Sequence, residues 1–473
     1  MYAILKIKGD TFMEKNKNTN EKKKLGVAEL ACYGIGNCIG SGIFVSMGSG
    51  IAFTGHSITL ALVAANLVVL FAYAYKTLMA GMFVLPGGAY SQAALLQPPL
   101  LVGVTALSTI FTGLAFAMYA VSIVEYASTV FPGIADYSQL IAFAIITLFF
   151  LTTLLGGKFM GKFNLIMVAV LIVSLLVYIA TGLPRVDYAT VVPHEGYFTD
   201  GAVGFIMAIA MMAFACQGAT MPVAMTADTR DAKRSLPKAI LIASGVITVV
   251  YCLIAVVSAG VLPIEEVAGK NLGVVAREIF PYPVFVIFIL GGACFAIATS
   301  LYGAVASVQH PLLATIEDGW LPSVLGTKTK KGYPWVMMLI LYVIAVVPIW
   351  IDMGLNELIS LMMIPTMIIN LFNNVLMFRL IKKYPNAWEN GFFRMPRWAF
   401  DVTIILAVLC DLLISVALLT TLKPGDQYFI LVMVAVLFAY SYYRLRAGKV
   451  NLQDIERIRR EAEAAARASG EKQ

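Results

Sequence analysis

Apolar segments long enough to cross a bilayer recur along almost the whole of this 473-residue chain. A membrane helix needs roughly 20 apolar residues to traverse the hydrocarbon core. Twelve such segments can be placed, at residues 27–50, 58–83, 98–128, 138–156, 159–181, 201–225, 238–262, 284–312, 335–352, 357–380, 399–421 and 427–445. Only 13% of the residues are charged and 60% are hydrophobic, whereas a soluble domain carries about 25% charged residues. A disordered chain is more polar still. The fold class expected is therefore an all-α polytopic membrane protein with twelve transmembrane helices.

The formal net charge of +7 does not point to nucleic acid, because the basic residues are sorted by side. With the N-terminus inside, the cytoplasmic segments hold Lys15, Lys17 and Lys22 to Lys24, then Arg230, Lys233, Arg234 and Lys238, then Lys328, Lys330 and Lys331, then Arg379 to Arg397 and the tail from Arg444. The opposite face has only Arg185, Lys270, Arg277 and Lys423. This positive-inside pattern puts both termini in the cytoplasm, as an even helix count requires. Residues 1–26 read as a disordered inner tail without the short apolar core of a cleaved signal.

The six cysteines lie in apolar spans without a CxxC pair and read as small buried apolar residues. The three histidines are too scattered for a metal site. No cofactor or metal is expected. A membrane enzyme would need paired acids or a metal constellation, and a channel would show charged rings or carbonyl filters. Neither is visible.

Two of the apolar segments carry helix breakers. The first contains GIGNCIGSGIF, Gly34 to Phe44, and the sixth contains FACQGATMPVA, Phe214 to Ala224, with Gly218 and Pro222 in its middle. Either break alone is also what a simple kink at glycine produces. Two breaks opening two five-helix blocks are the trace of an inverted-repeat transporter. The expected organisation is an N-terminal tail (1–26), a first repeat of helices 1–5 (27–181), a second of helices 6–10 (201–380), two extra helices (399–445) and a C-terminal tail (446–473). Half-helix N-termini suit a carboxylate and half-helix C-termini an ammonium. A zwitterionic amino acid meets both needs.

Four motifs then carry a resemblance. Gly36-Asn37 with Gly40-Ser41-Gly42-Ile43-Phe44 is similar to a G-N-x-x-G-S-G-I-F signature in helix 1. Pro86 to Tyr90 resembles a P/S-G-G-A-Y after helix 2, Asp228 to Pro237 an E-x-K-N-P-x-R-x-I-P after helix 6, and Asp318 to Pro322 a D-G-x-L-P after helix 8. Together, in order, they resemble the amino acid–polyamine–organocation superfamily over about residues 25–445. The resemblance implies a secondary transporter of amino acids or related amines. It implies that the amides of Ser41, Gly42 and Ile43 hold the substrate carboxylate, with Asn37 and Gly40 in the same signature, that Gly218 does similar work in helix 6, and that Phe214 stands where relatives carry an aromatic gate. Core packing is an equal reading of Phe214.

Relatives often carry an acid two residues after the helix 6 glycine, where this chain has Thr220. That favours a neutral substrate. His310 replaces a usual arginine in helix 8, and Asp231-Ala232 the usual Asn-Pro. Lys158 resembles the lysine whose ammonium fills the sodium place in sodium-independent relatives, which implies exchange or proton coupling. Snorkelling at the interface is its other reading, and the better one for Lys162. Ionisable residues inside spans are functional candidates. Glu125, near the outer end of helix 3, is interfacial or serves proton movement. Asp411, mid-helix 11, is expected to make a structural hydrogen bond or a subunit contact. Lys76 in helix 2 is explained only as pairing with a polar neighbour. The function expected is alternating-access transport of amino acids, neutral ones first, with cationic amino acids or polyamines as the alternative. The partners expected are the amino acid, the lipid bilayer and, optionally, a second copy of the chain.

Overall fold

The computed structural model describes residues 24–85, 88–155, 158–329 and 333–470, with the side chains of 153–166, 306, 307, 310 and 465–470 left aside. Pro86, Gly87, Lys330, Lys331 and the first 23 residues lie outside the described residues, as do the side chains of Lys158, Lys162 and His310. No β-strand forms among the described residues; a single parallel bridge joins Leu25 to Thr229.

Ten helical stretches are long and apolar enough to cross a membrane, and Trp335–Trp350 is a shorter apolar helix. The difference from the twelve segments counted in the sequence has two sources. The first segment is cut into α1 (Val27–Cys38) and α2 (Ser41–Thr54), and α2 runs on through a 3₁₀ turn, Gly55–Ser57, into α3 (Ile58–Ala72). The ninth, Trp335–Trp350, is only sixteen residues long. At Gly55 φ is +64°, and a Cβ there would stand 2.2 Å from Thr199 Oγ1, so the turn requires glycine twice over.

After α3 the backbone leaves helical geometry at Tyr73 and resumes as α4 (Ala74–Met82). There follow α5 (Gly88–Leu96), α6 (Pro99–Ser108), α7 (Thr112–Val130), α8 (Ser138–Leu155), α9 (Lys158–Gly182) and α10 (Gly201–Cys216). A 3₁₀ stretch, Gln217–Asp228, holding Pro222, continues α10. Then come α11 (Ala232–Gly260), two short helices α12 (Ile264–Val267) and α13 (Gly273–Ile279), and α14 (Tyr282–Ile287), joined to α15 (Phe295–Glu317) by a π-helical turn at Phe288–Cys294. The last elements are α16 (Trp335–Trp350), α17 (Leu355–Lys383), α18 (Pro385–Glu389), α19 (Arg397–Thr420), α20 (Pro424–Arg446) and α21 (Gln453–Gly470).

The centre of the bundle is α2 and α10, which pack on each other, with α3, α7, α15 and α17 around them. Their side chains make one continuous apolar core, including Ile43, Met47, Phe116, Met211, Met212, Ile254 and Leu301. The outer faces stay apolar and uncovered: Leu148, Leu176, Val249, Val416 and Leu431 are each about 60% exposed. Exposed apolar surface on this scale marks a membrane or an interface, and on long helices it is the face that lipid covers.

The first and last described segments pack at one end of the bundle. Leu25 exchanges backbone hydrogen bonds with the segment after the 3₁₀ stretch (Leu25 N–H to Asp228 C=O, 2.8 Å; Arg230 N–H to Leu25 C=O, 2.9 Å). At the same end, Arg444 Nε donates to Gly319 C=O at 2.9 Å, and Arg459 donates to the carbonyls of Ala94 and Gln97 at 3.0 and 2.7 Å. The Tyr90 hydroxyl donates to the Asp318 carboxylate. Burial pushes the Asp318 carboxyl above its ordinary range, against the pull of that hydrogen bond, and Asp454 beside it pushes the same way as burial.

A candidate substrate site between two interrupted helices

The first interruption lies at Ile39 and Gly40, between α1 and α2. The second lies where α10 gives way to 3₁₀ geometry at Gln217. The two meet, and glycines let them. A Cβ on Gly218 would fall 2.7 Å from the carbonyl carbon of Asn37 and 2.8 Å from the amide nitrogen of Cys38. One on Gly42 would fall 2.8 Å from Ala215 Cα, and one on Gly34 3.2 Å from Pro222 Cγ. The two backbones therefore touch without side chains between them. Gly36 differs, with nothing within 4 Å of its would-be Cβ.

Polar groups gather where the ladders stop. Tyr251 of α11, fully buried, directs its hydroxyl at the Cys38 carbonyl (2.5 Å), with the Ala215 carbonyl at 3.4 Å as a second acceptor. One side chain thus serves the last turns of both interrupted helices, and the Cys38 carbonyl also accepts from the Gly40 N–H at 2.8 Å. Cys38 Sγ donates to the Cys216 carbonyl at 3.4 Å. Across the gap, the Ser41 N–H, first in α2, donates to Ser300 Oγ of α15 at 3.0 Å. Gly40 precedes it with no side chain to cap α2, and its own would-be Cβ would meet the same Ser300 Oγ at 2.5 Å.

The residues singled out in the sequence divide accordingly. Gly40, Ser41, Gly42, Ile43, Phe214, Gly218 and Thr220 are buried around the crossing. The Thr220 hydroxyl turns back to the Gln217 carbonyl at 3.0 Å. Asn37 is exposed, and its amide donates to the Tyr33 carbonyl on its own helix at 2.8 Å. Glu125 is not at the crossing. It stands on the wall of a cavity of about 450 Å³, beside Phe44, Ser49, Lys270, Asn356 and Glu357, reached by the outer part of α2. Tyr126, one residue on, donates to the Phe44 carbonyl (2.8 Å) and accepts from the Leu272 N–H (3.1 Å), fastening α2 and the loop before α13 to α7. Lys158 opens α9, its side chain outside the described residues.

Tyr251, Ser300 and Tyr126 are absent from the sequence-derived set. Each is a hydroxyl in an apolar helix, and its partner lies 82 to 259 residues away. No group of histidine, cysteine and acidic residues fit to hold a metal occurs among the described residues.

The chain is similar to known proteins over most of its length. A family model described as amino acid permease matches residues 25–440. A branched-chain amino acid permease of Bacillus subtilis is 27% identical over 272 residues, 53% of this chain and 57% of that protein. The chain thus spans little more than half the length of that relative. A cadaverine/lysine antiporter of Escherichia coli is 27% identical over 336 residues, 66% of this chain and 71% of that one. A D-serine/D-alanine/glycine transporter of Escherichia coli is 23% identical over 341 residues, 66% and 69% of the two chains.

Proposed function

The chain belongs to the amino acid permease family, a family of membrane transporters and not of enzymes, and from that premise we propose that it carries neutral amino acids by alternating access. The observation that carries the reading is the crossing itself. The N-terminus of α2 and the end of α10 face each other, with the Ser41 N–H held only by a serine hydroxyl that a substrate carboxylate can displace. Gly42 and Ile43 supply the next amides, and the carbonyls near Gly218 supply acceptors for an ammonium. Phe214, buried on α10, covers the site. Helices 1–5 and 6–10 form an inverted repeat within twelve spans, and both termini face the cytoplasm, as the distribution of lysine and arginine favours.

Neutral substrates are favoured by Thr220 at the place of the family's acid, and by relatives named for branched-chain amino acids and for D-serine, D-alanine and glycine. Lys158 replaces sodium, so transport is exchange or is driven by protons, with Glu125 on the cavity wall a candidate for proton movement. A second reading, carriage of cationic amino acids or diamines, is favoured by Glu125 and Glu357 on that wall and by the cadaverine/lysine relative. Thermal unfolding against amino acids and amines, in sodium and in choline, separates these. A ligand at a hundred times its dissociation constant stabilises by about 2.7 kcal/mol. The proposal expects stabilisation by neutral amino acids, equal in both salts. Stabilisation by amines lacking a carboxylate selects the second reading, and a shift only in sodium removes Lys158 from the mechanism.

A further inference from the structure

Away from the crossing, a second polar cluster lies in the same bundle. Asp411 of α19 is fully buried. Its Oδ2 accepts from Asn374 Nδ2 at 2.8 Å, and its Oδ1 is buried with no hydrogen-bond partner. None of the ion pairs among the described residues includes it. Asn374 of α17 also donates to the Ala72 carbonyl (2.9 Å) and accepts from the Tyr75 N–H (3.1 Å), the two groups flanking the interruption between α3 and α4. The Tyr75 hydroxyl donates to Asn370 Oδ1 at 3.1 Å. Tyr73, at the interruption, donates to Gln217 Oε1 at 2.9 Å, where α10 becomes 3₁₀. One network therefore ties a buried carboxyl to both irregular helices.

The cluster has a polar continuation toward the end of the bundle where the first and last described segments pack. Asn373, next to Asn374, accepts from Gln97 Nε2 at 2.6 Å, and Arg459 donates to the Gln97 carbonyl. Asn370, Asn373 and Asn374 share one face of α17, and all three are buried.

The groups around Asp411 cannot neutralise a charge on it. Of the elements packed on α19, α3 has no titratable side chain and α10 only Cys216. From α4 come Tyr75 and Lys76, and the Lys76 ammonium lies over the Tyr73 ring, 4.5 Å from its centroid. Tyr73 itself faces the carboxyl, as does Cys410 on α19. On α17 the ionisable residues are at the two ends, Glu357 and Arg379 to Lys383. An ionised carboxylate with one amide donor and no cation, deep in a membrane bundle, is costly.

We propose that Asp411 is the proton-binding site of this transporter, protonated on Oδ1 in the conformation seen here and exchanging that proton with the side toward which Asn373 and Gln97 lie. The inference rests on the transport reading above and adds its coupling ion. Moving α3 and α10 against α17 and α19 pulls at the Asn374–Ala72 bond, while the Tyr73–Gln217 bond keeps the two moving helices together. The proton's binding and the helix movement are then one equilibrium, which is what coupling requires.

The test uses the full chain in proteoliposomes with labelled leucine, alanine and glycine. One co-transported proton drives up to about tenfold accumulation per pH unit of gradient. The wild type should show that dependence. Asp411→Asn should lose it and keep counterflow of the same amino acid, and Asp411→Glu should restore it. Wild-type counterflow that ignores a pH gradient overturns the proton site and leaves the transport reading standing. Absence of counterflow for every amino acid in the wild type overturns both. If Asp411→Asn retains gradient-driven accumulation and Glu125→Gln loses it, the proton belongs to Glu125. Should Asp411→Asn fail to fold, Asp411→Glu decides: a shifted pH profile of uptake supports the proposal, and an unchanged one overturns it.

Discussion

The Tyr251 hydroxyl lies 2.5 Å from the carbonyl oxygen of Cys38, a residue 213 positions away in the chain, at the point where α1 stops. The Ala215 carbonyl, near the end of α10, is its second acceptor. The Cys38 carbonyl also accepts from the Gly40 N–H at 2.8 Å, so the hydroxyl is one of its two donors. Tyr251→Phe keeps the ring and removes the hydroxyl. Loss of one neutral hydrogen bond costs about 0.5–1.5 kcal/mol. The variant should melt earlier than the parent and transport more slowly, as differential scanning fluorimetry and uptake in vesicles would register. An unchanged melting temperature would mean that the Gly40 N–H alone satisfies the Cys38 carbonyl.

The glycines at the crossing differ in what surrounds them, and that difference is testable. Gly218→Ala would place a methyl 2.7 Å from the Asn37 backbone, which has no side-chain freedom with which to retreat. The two interruptions must separate, and uptake should fall to background. Gly36→Ala meets nothing within 4 Å and exchanges glycine for a better helix former, a gain of up to about 1 kcal/mol. It should melt no earlier than the parent and transport normally. Equal damage from both substitutions would contradict the close approach at Gly218.

These two cases also mark what the sequence discloses. Gly34, Gly40, Gly42, Gly218 and Pro222 are legible because helix breakers in an apolar run have few other uses. Their partners are not legible. Ser300 and Tyr251 look like ordinary residues of apolar helices until the fold brings them to Ser41 and Cys38. The number of spans is blurred for a related reason: hydropathy reports a run of apolar residues, and the cut at Ile39–Gly40 does not interrupt that run, whereas the break read at 51–57 is a turn that the helices run through. Asp411 was visible as a charge out of place, but its link to both irregular helices depends on Asn374 and Tyr75, which only packing supplies.

At the end of the bundle where the first and last described segments pack, Asp318 gives a pH prediction. Its carboxyl is raised above its ordinary range, chiefly by burial, with Asp454 adding to the effect. A group whose folded-state value is raised contributes stability that is present at low pH and is lost as pH rises through that value. Attachment of α21 should therefore tighten on mild acidification from neutral pH. Asp318→Asn, which can still accept from Tyr90, should raise the melting temperature at pH 7 and do so less at pH 5. A larger benefit at pH 5 would reverse the sign and refute the assignment.

Ser300 offers the most direct probe of the proposed carboxylate site. In the structure its hydroxyl occupies the Ser41 N–H at 3.0 Å, the first amide that a bound carboxylate would use. Ligand and side chain then compete for one donor. Ser300→Ala removes the competitor and leaves the amide unpaired when the site is empty. A neutral hydrogen bond is worth about 0.5–1.5 kcal/mol net, so the empty variant should be less stable by that amount. The same difference should appear as tighter binding, about two- to tenfold, because the ligand no longer displaces a partner. Isothermal titration with the amino acid that stabilises the parent most reads the affinity, and thermal unfolding without ligand reads the cost. Weaker binding in Ser300→Ala would show that the hydroxyl contacts the substrate itself and does not merely hold its place.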